Sequence, residues 1–306
     1  MNIVLFDAEE LTEATPGTPA VAPTPPRPAA PRDPSQPDVR AVRLPAADRR
    51  ARHIIDVLRL GPGDSFRAGV VDGVACTGRV VSVEADGSVT VSLERAGTTE
   101  AVAANPGSAA APGAASIGAA APANPGAAAR PLHPVRLLLG HPRPIVLRRL
   151  LRDLSTLGIE QLVVVRTELG EKSYLESKLW QGDDVRRLLI EGAEQAGSTL
   201  LPRVEKAWRL ADAIGQVVEG REGAPRVVFD NAVSGEGAAS RGFHPPAAAG
   251  GGGASAARAA AGAGRVIAVG SERGWTDGER DLLRENGFET VLLGERILRT
   301  ETAAIA

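Results

Sequence analysis

Apolar residues recur along this chain in two rhythms. In the first third they form short, partly alternating runs. Residues 65–71, 74–83 and 88–93 read as strands separated by Asp72-Gly73 and Asp86-Gly87, dipeptides that favour tight β-hairpin turns. A short apolar run at residues 2–6 adds another strand. Residues 48–60 gather Ile54, Ile55, Val57 and Leu58 ahead of Gly61-Pro62-Gly63, the pattern of a helix followed by a stop signal. Several short strands with tight turns predict a small β-barrel or barrel-like sheet.

From residue 135 the rhythm changes. Residues 135–139 are apolar without alternation, as a strand covered on both faces requires. Pro144–Leu157 places Leu147, Leu150, Leu151 and Leu154 on one helical face and Arg148, Arg149, Arg152 and Asp153 on the other, and Gly158 supplies a C-cap. Ile159–Val165 is the next strand. Residues 183–196, with Val185, Leu188, Leu189 and Ala193 in register, and Leu210–Val218 read as helices. Arg226–Phe229 and Arg265–Val269 read as strands. Residues 276–286 read as a helix opening on a capping box, Thr276 to Glu279, and residues 289–293 as a last strand. Strands alternating with helices predict an α/β fold with a mainly parallel sheet.

In such sheets ligands bind at the carboxyl ends of the strands. Two of the predicted strands run into glycine loops there, Gly270-Ser271-Glu272-Arg273-Gly274 and the segment from Gly294. Glycine lets backbone N–H groups approach a ligand closely. Taken alone, the first loop also reads as a plain strand-to-helix turn. It lacks the third glycine of a dinucleotide fingerprint and the Gly-Lys-Ser/Thr of a P-loop.

Composition divides the chain. Of 306 residues, three tracts (15–37, 97–131 and 233–264) are dominated by Ala, Gly and Pro. They carry too little apolar surface to offset the entropy of ordering and are expected to be flexible insertions. Roughly 215 residues remain, enough for a core and a small second domain. The expected division is a first domain over 1–96, a linker over 97–131 and an α/β domain over 132–306.

Cys76 is the only cysteine, which excludes an intrachain disulfide or a cysteine-based zinc site, and the four histidines lack metal-ligand spacing, so no metal is expected. No apolar run approaches the roughly 20 residues that span a bilayer, and the acidic N-terminus lacks a signal peptide's basic region. A cytoplasmic protein is expected. The net charge of −2 argues against a general polyanion binder, yet residues 38–67 hold seven Arg against four Asp, and residues 136–153 hold five Arg against one Asp. Two such segments fit a local phosphate-binding face, or solvated helix faces paired with their aspartates.

The loops carry a resemblance. "GSERGWTDGERDLLRENGFETVLLGERILRTETA" (270–303) resembles the C-terminal signature of the ribosomal RNA small-subunit methyltransferase E family, knotted enzymes of the SPOUT class. Ser271 stands where the family has proline, Arg273 where it has glycine and Trp275 where it has phenylalanine. "HIIDVLRLGPGD" (53–64), "HPRPIVLRRLLRDLSTLGIEQLVVV" (141–165), "EKSYLESKLW" (171–180) and "EGAEQAG" (191–197) match further family segments in order. Family members continue past the Glu-Thr-Ala segment into a C-terminal helix, of which this chain holds about the first turn.

The resemblance implies a SPOUT-type trefoil-knotted parallel-sheet domain preceded by a PUA-like RNA-binding barrel, and a homodimer. It implies S-adenosylmethionine as cofactor and, as partner and substrate, the small ribosomal subunit, methylated at N3 of a uridine in 16S rRNA. Another RNA, transfer RNA or 23S rRNA, and a non-catalytic RNA-binding or assembly role remain open alternatives.

The cofactor residues implied are Asn231, Gly270, Ser271, Glu272, Gly274, Leu293, Gly294, Ile297, Leu298 and Thr302, with Leu293, Ile297 and Leu298 flanking the adenine and Gly294 leaving space for it. Arg299 and Glu301 are the catalytic candidates, Arg299 orienting the target base or its phosphate. Candidate RNA contacts are Arg40, Arg43, His53, Arg59 and Arg143; His53 lies on the apolar side of its helix and also reads as a structural histidine. Residues 172–174 read as a polar loop or as part of the site. Trp180 and Trp208 are expected to be core or interface anchors rather than base-stacking platforms.

Overall fold

The computed structural model describes residues 2–13, 39–94, 131–230, 264–294 and 296–306, and the chain forms two compact units, 1–129 and 130–306. Apart from Pro131 and Gly264, the three Ala/Gly/Pro-rich tracts lie outside the described residues.

The first unit holds β1 (Val4–Phe6), β2 (Thr12–Glu13), β3 (Val39–Leu44), α1 (Arg49–Arg52), β4 (Ser65–Val70), β5 (Ala75–Val83) and β6 (Val89–Glu94) in one sheet of order β1-β4-β5-β6-β3-β2. Only β1 with β4 is parallel. The expected hairpins form, with Asp72 and Gly87 at positive φ in their turns. A bulge at Val80/Ser82 bends β5. The inward face packs Phe6, Val42, Leu44, Ala68, Val80, Val89 and Val91 against Ile54.

The expected helix over 48–60 differs. Asp48 caps it by accepting from the Arg50 backbone at 2.8 Å, but the α-helical part ends at Arg52 and His53–Val57 continues as one wide π turn, closing on Arg59 at φ 55°. The β-branched Ile54, Ile55 and Val57 crowd a preceding α turn, and the wider turn lets Ile54 reach the core.

Arg50 clamps this corner. Its guanidinium meets Glu10 at 2.7 and 2.8 Å, Asp48 at 2.8 Å and the Leu5 carbonyl at 3.2 Å, and lies 5.2 Å over the Phe6 ring. The hydrogen bond from Arg50 holds the Glu10 carboxyl below its ordinary value of 4.5. A depressed carboxyl stabilises the fold above its unfolded pKa and loses that contribution as pH falls through the folded one. Protection of β1 and β4 amides against hydrogen exchange, corrected for the intrinsic rate at each pH, is therefore expected to fall as pH drops below about 4.5, and Glu10→Gln is expected to flatten that dependence. An unchanged acid response in the variant would remove the clamp from the stability of this unit.

The second unit runs β7 (His133–Gly140), α2 (Pro144–Leu157), β8 (Ile159–Val165), α3 (Asp184–Ala196), β9 (Arg203–Ala207), α4 (Leu210–Val218), β10 (Arg226–Phe229), β11 (Arg265–Val269), α5 (Asp277–Glu285), β12 (Glu289–Val291) and α6 (Thr300–Ile305). Its sheet is wholly parallel, in the order β12-β10-β11-β7-β8-β9. Leu138, Val163, Val165, Val228 and Ala268 face α4 and α5; Leu137, Leu139, Leu162 and Val164 face α2 and α3. Gly158 and Gly197 end α2 and α3 in left-handed caps, and the Thr276/Glu279 capping box opens α5. β9 was not anticipated. Its sequence, Arg-Val-Glu-Lys-Ala, is that of a charged edge strand, whose polar side chains mask the β pattern while discouraging edge pairing. Among the described residues, no helix is long and apolar enough to cross a membrane.

α2 and α3 approach closely at Gly192. A Cβ there would run into the Arg152 carbonyl and lie 2.8 Å from Ser155 Cβ, while Ser155 Oγ donates to the Leu189 carbonyl at 2.7 Å. Gly192→Val is expected to cost about 1–3 kcal/mol of stability through overpacking, read by chemical denaturation. A variant as stable as the parent would show that the helices part freely.

Candidate active site

Because every strand of the second sheet is parallel, all its carboxyl ends share one edge. There Phe229-Asp230 leaves β10, Gly270 leaves β11, Gly140 leaves β7, and residues 293–301 return from β12. Together with the start of α2 they enclose a cleft of about 550 Å³, in the range of small-molecule sites.

The loop after β11 sets its floor. A Cβ on Gly140 would collide with the Ser271 backbone N, and one on Gly270 would lie 3.1 Å from Gly274 Cα and 3.2 Å from Trp275 Nε1. The missing side chain at Gly140 thus lets the loop lie directly over the end of β7, and that at Gly270 lets the loop turn tightly on itself. The loop is tightly turned: Gly274, at φ 73°, donates to the Ser271 carbonyl at 2.9 Å. Ser271 and Thr167 hydroxyls meet at 3.2 Å. Glu272 accepts from the Arg143 backbone N–H at 3.0 Å, placing a carboxylate at the N-terminus of α2, where orphan N–H groups favour negative charge. Trp275, 2% exposed, roots the loop in the core.

A second set of bonds ties this loop to the segment after β8. Glu279 accepts from the Glu168 and Thr276 backbones at 2.8 and 2.9 Å, Thr276 Oγ1 donates to Glu168 at 2.7 Å, and Arg273 reaches the Leu169 carbonyl at 3.0 Å and Glu171 at 3.1 Å. Beside it His141 is buried, with Nδ1 2.5 Å from the Pro142 carbonyl and Nε2 accepting from Trp180 Nε1 at 2.9 Å. Both contacts suit a neutral ring protonated at Nδ1, and desolvation pushes its pKa down. Tyr174 packs 5.7 Å from that ring. Residues 172–174 therefore form a 3₁₀ turn beside the His141 network.

The cleft brings together Gly270, Ser271, Glu272, Gly274, Leu293, Ile297, Leu298, Arg299, Glu301 and Arg143. Ile297, 83% exposed, stands at its mouth, and Arg299 lies 3.9 Å from Glu301. Gly294 and Thr302 are exposed and outside the lining. No atom lies within 4 Å of a Cβ placed on Gly294, and its φ of +123° is a conformation that itself favours glycine. Asn231 lies outside the described residues. Arg40, Arg43, His53 and Arg59 belong to the first unit. Arg43 donates to Ser88 Oγ at 3.1 Å, Arg59 is exposed, and burial pushes the half-buried His53 ring down in pKa. Trp180 is half-buried against His141, and Trp208 is 43% exposed, which leaves the interface rather than the core of the two places expected for it.

Val146, Phe229, Val269 and Thr300, which the sequence does not single out, also line the cleft, with Asp230 beside Asn231 and Arg296 within the implied segment 293–298. Asp230 had one available signal, its position just past a buried strand. Arg280 holds it at 2.6 Å.

Residues 129–306 match a family model described as an RNA methyltransferase domain, the class that this parallel sheet and its edge cleft represent. The whole chain aligns with ribosomal RNA small subunit methyltransferase E of Treponema pallidum (strain Nichols), 31% identical over 310 residues and covering 88% of that protein. The corresponding protein 1 of Borreliella burgdorferi is 29% identical over 175 residues, 57% of this chain and 65% of that one. A crystal structure of the Neisseria gonorrhoeae enzyme of that name, bound to S-adenosyl methionine, shares the fold with a TM-score of 0.52 at 21% identity, over 90% of this chain and 92% of that one. The chain belongs to the ribosomal RNA small subunit methyltransferase E family.

Gly140→Ala is expected to push the Gly270–Gly274 loop off the end of β7. Overpacking of about 1–3 kcal/mol at this contact corresponds to roughly tenfold or more in affinity for a ligand the loop holds. Calorimetric titration with S-adenosylmethionine checks this, and an unchanged Kd would show that the loop relocates without consequence.

Proposed function

We propose that this chain is an S-adenosylmethionine-dependent RNA methyltransferase acting on N3 of a specific uridine in 16S rRNA of the small ribosomal subunit. The observation that carries the reading is the cleft itself, built by the two glycine loops at the carboxyl edge of a parallel sheet in a member of this family. Its residues fit the cofactor. Gly270 forms a cradle that a Cβ would crowd, Val269, Leu293 and Leu298 supply apolar walls, and Asp230, Glu272, Thr300 and exposed main-chain groups supply polar ones. Ser271, Gly274, Ile297, Gly294, Thr302 and Asn231 complete the proposed binding set.

The cofactor supplies a methyl group on a positively charged sulfur, already activated for transfer. The chain's own contribution is positioning, holding donor and acceptor in line. N3 lies on the Watson–Crick edge, so the target base must be unpaired or splayed out. Arg299, at the cleft mouth, orients that base or its phosphate, and Glu301 sits beside it. The imide proton of uridine must leave during transfer, to a side chain or to water.

The wider architecture follows the same reading. A SPOUT-type trefoil knot is supported by the return of the chain after β12, since α6 packs against α2 and β11. A PUA-like barrel over 1–96 is supported by the bent six-stranded sheet of the first unit, and it offers Arg40, Arg43, His53 and Arg59 to RNA, with Arg143 at the cleft. A homodimer is supported by exposed Ile145, Ile297 and Ile305 on the elements that border the cleft. Action in the cytoplasm follows from the substrate.

Transfer of labelled methyl to small subunits lacking native uridine-N3 methylation, with the product base identified, tests the reading. N3-methyluridine at one site is the expected product; modification of a different RNA instead would overturn it. Arg299→Ala is expected to lower the transfer rate about 10- to 100-fold, the range of a lost positioning contact, with cofactor affinity unchanged.

A further inference from the structure

We infer that the carboxyl edge of β8 and β9 is a stacking platform for an unpaired RNA base neighbouring the target, with Trp208 as its ring and Lys206 as its cation. The inference rests on the RNA-methyltransferase reading and extends it to a second contact outside the cleft.

Trp208 is a large aromatic ring 43% exposed, whereas Trp275 is buried and Trp180 half-buried. A partly exposed aromatic ring presents a π-face on which any base can stack, and flanking cations complete a single-strand site. Its backbone is held on both sides. Ala207, just before it, is the last residue of β9, and Arg209, just after it, is the N-cap of α4 with its guanidinium fixed to Asp212 at 2.7 and 2.8 Å. A ring on rigid elements loses little freedom when a base stacks on it.

The platform lies close to the cleft. Ser271 in the cleft lining meets Thr167 at 3.2 Å, and Arg166, the residue before Thr167, donates from its backbone to the Ala207 carbonyl at 3.1 Å. β9 is three strands from β11 and four from β10, whose loops line the cleft, roughly 14–19 Å at the usual strand spacing. That is a reach of a few nucleotides along a single strand from a base held in the cleft.

The charge also suits a polyanion. Lys206 is exposed and, among the described residues, makes no ion pair; its ammonium lies 5.6 Å over the Trp180 ring and 3.5 Å from the Leu175 carbonyl. The nearby carboxylates are already engaged: Glu205 by Arg203, Asp212 by Arg209, Glu171 by Arg273.

Steady-state methylation of small subunits by the full-length protein, with cofactor affinity measured in parallel, tests the inference. Trp208→Ala is expected to raise KM for the RNA substrate about tenfold, the size of one lost base–aromatic stack, with cofactor Kd and kcat within twofold. Trp208→Phe is expected to restore most of the loss, and Lys206→Ala to reduce the salt dependence of KM. Unchanged KM in Trp208→Ala would overturn the platform. So would a shift of that variant to a smaller oligomer, which would place the ring in a contact between copies. Failure of the parent protein to methylate any RNA would instead overturn the underlying activity, and is separable because it appears without any substitution.

Discussion

At Gly140 the backbone of β7 and that of the loop after β11 come so close that position 140 has no room for a side chain, and position 270 is tight against its own loop at Gly274 and Trp275. Most of the site depends on this contact. With the Gly270–Gly274 loop seated on the end of β7, Ser271 reaches across to Thr167, Glu272 reaches the first turn of α2, and Arg273 reaches the segment after β8. A side chain at Gly140 would push the loop off the end of β7 and disturb these bonds together. The contact exists only because β11 lies between β10 and β7 in a wholly parallel sheet, which puts the two chain turns on one edge.

The two walls of the cleft are built differently. The wall after β11 is anchored by buried groups, the Trp275 ring and the Glu279 carboxylate with its two backbone donors. Buried charge-assisted bonds of this kind are strong, whereas the exposed Arg273–Glu171 pair adds little, as surface ion pairs do. The opposite wall, residues 293–299, has few buried side chains, a glycine at φ +123° and an isoleucine standing in solvent. It is held chiefly where α6 packs on α2. A stiff wall next to a thin one suits a site that must fix a small cofactor and still admit a nucleotide.

Much of this was legible in the chain. Pro144–Leu157, Ile159–Val165, Leu210–Val218, Arg226–Phe229 and Arg265–Val269 begin and end where the apolar periodicity places them, because there local propensity and tertiary burial agree, whereas the last strand stops at Val291, two residues short of the expected end. The capping box at Thr276 and the left-handed Gly158 were equally plain. The misses have particular causes. The helix over 48–60 broke into a π turn where β-branched residues met the pull of the core on Ile54. β9 was hidden by its charged edge-strand sequence. Trp208 reads as a core or interface anchor, and its 43% exposure excludes the core.

By itself the sequence determined the alternation of strand and helix, the parallel sheet that alternation requires and the two glycine loops, because these depend on periodicity and on conformational limits that act within a few residues. Its wording also pointed to the family. Only the tertiary structure decided the strand order, and with it the meeting of Gly140, Thr167, Arg143 and Glu272 around one cleft. It also decided that Gly294 adopts a φ that favours glycine and that Trp208 is partly exposed. Those outcomes arise from contacts between residues up to 131 positions apart in the chain, such as Gly140 and Ser271, which no local pattern encodes.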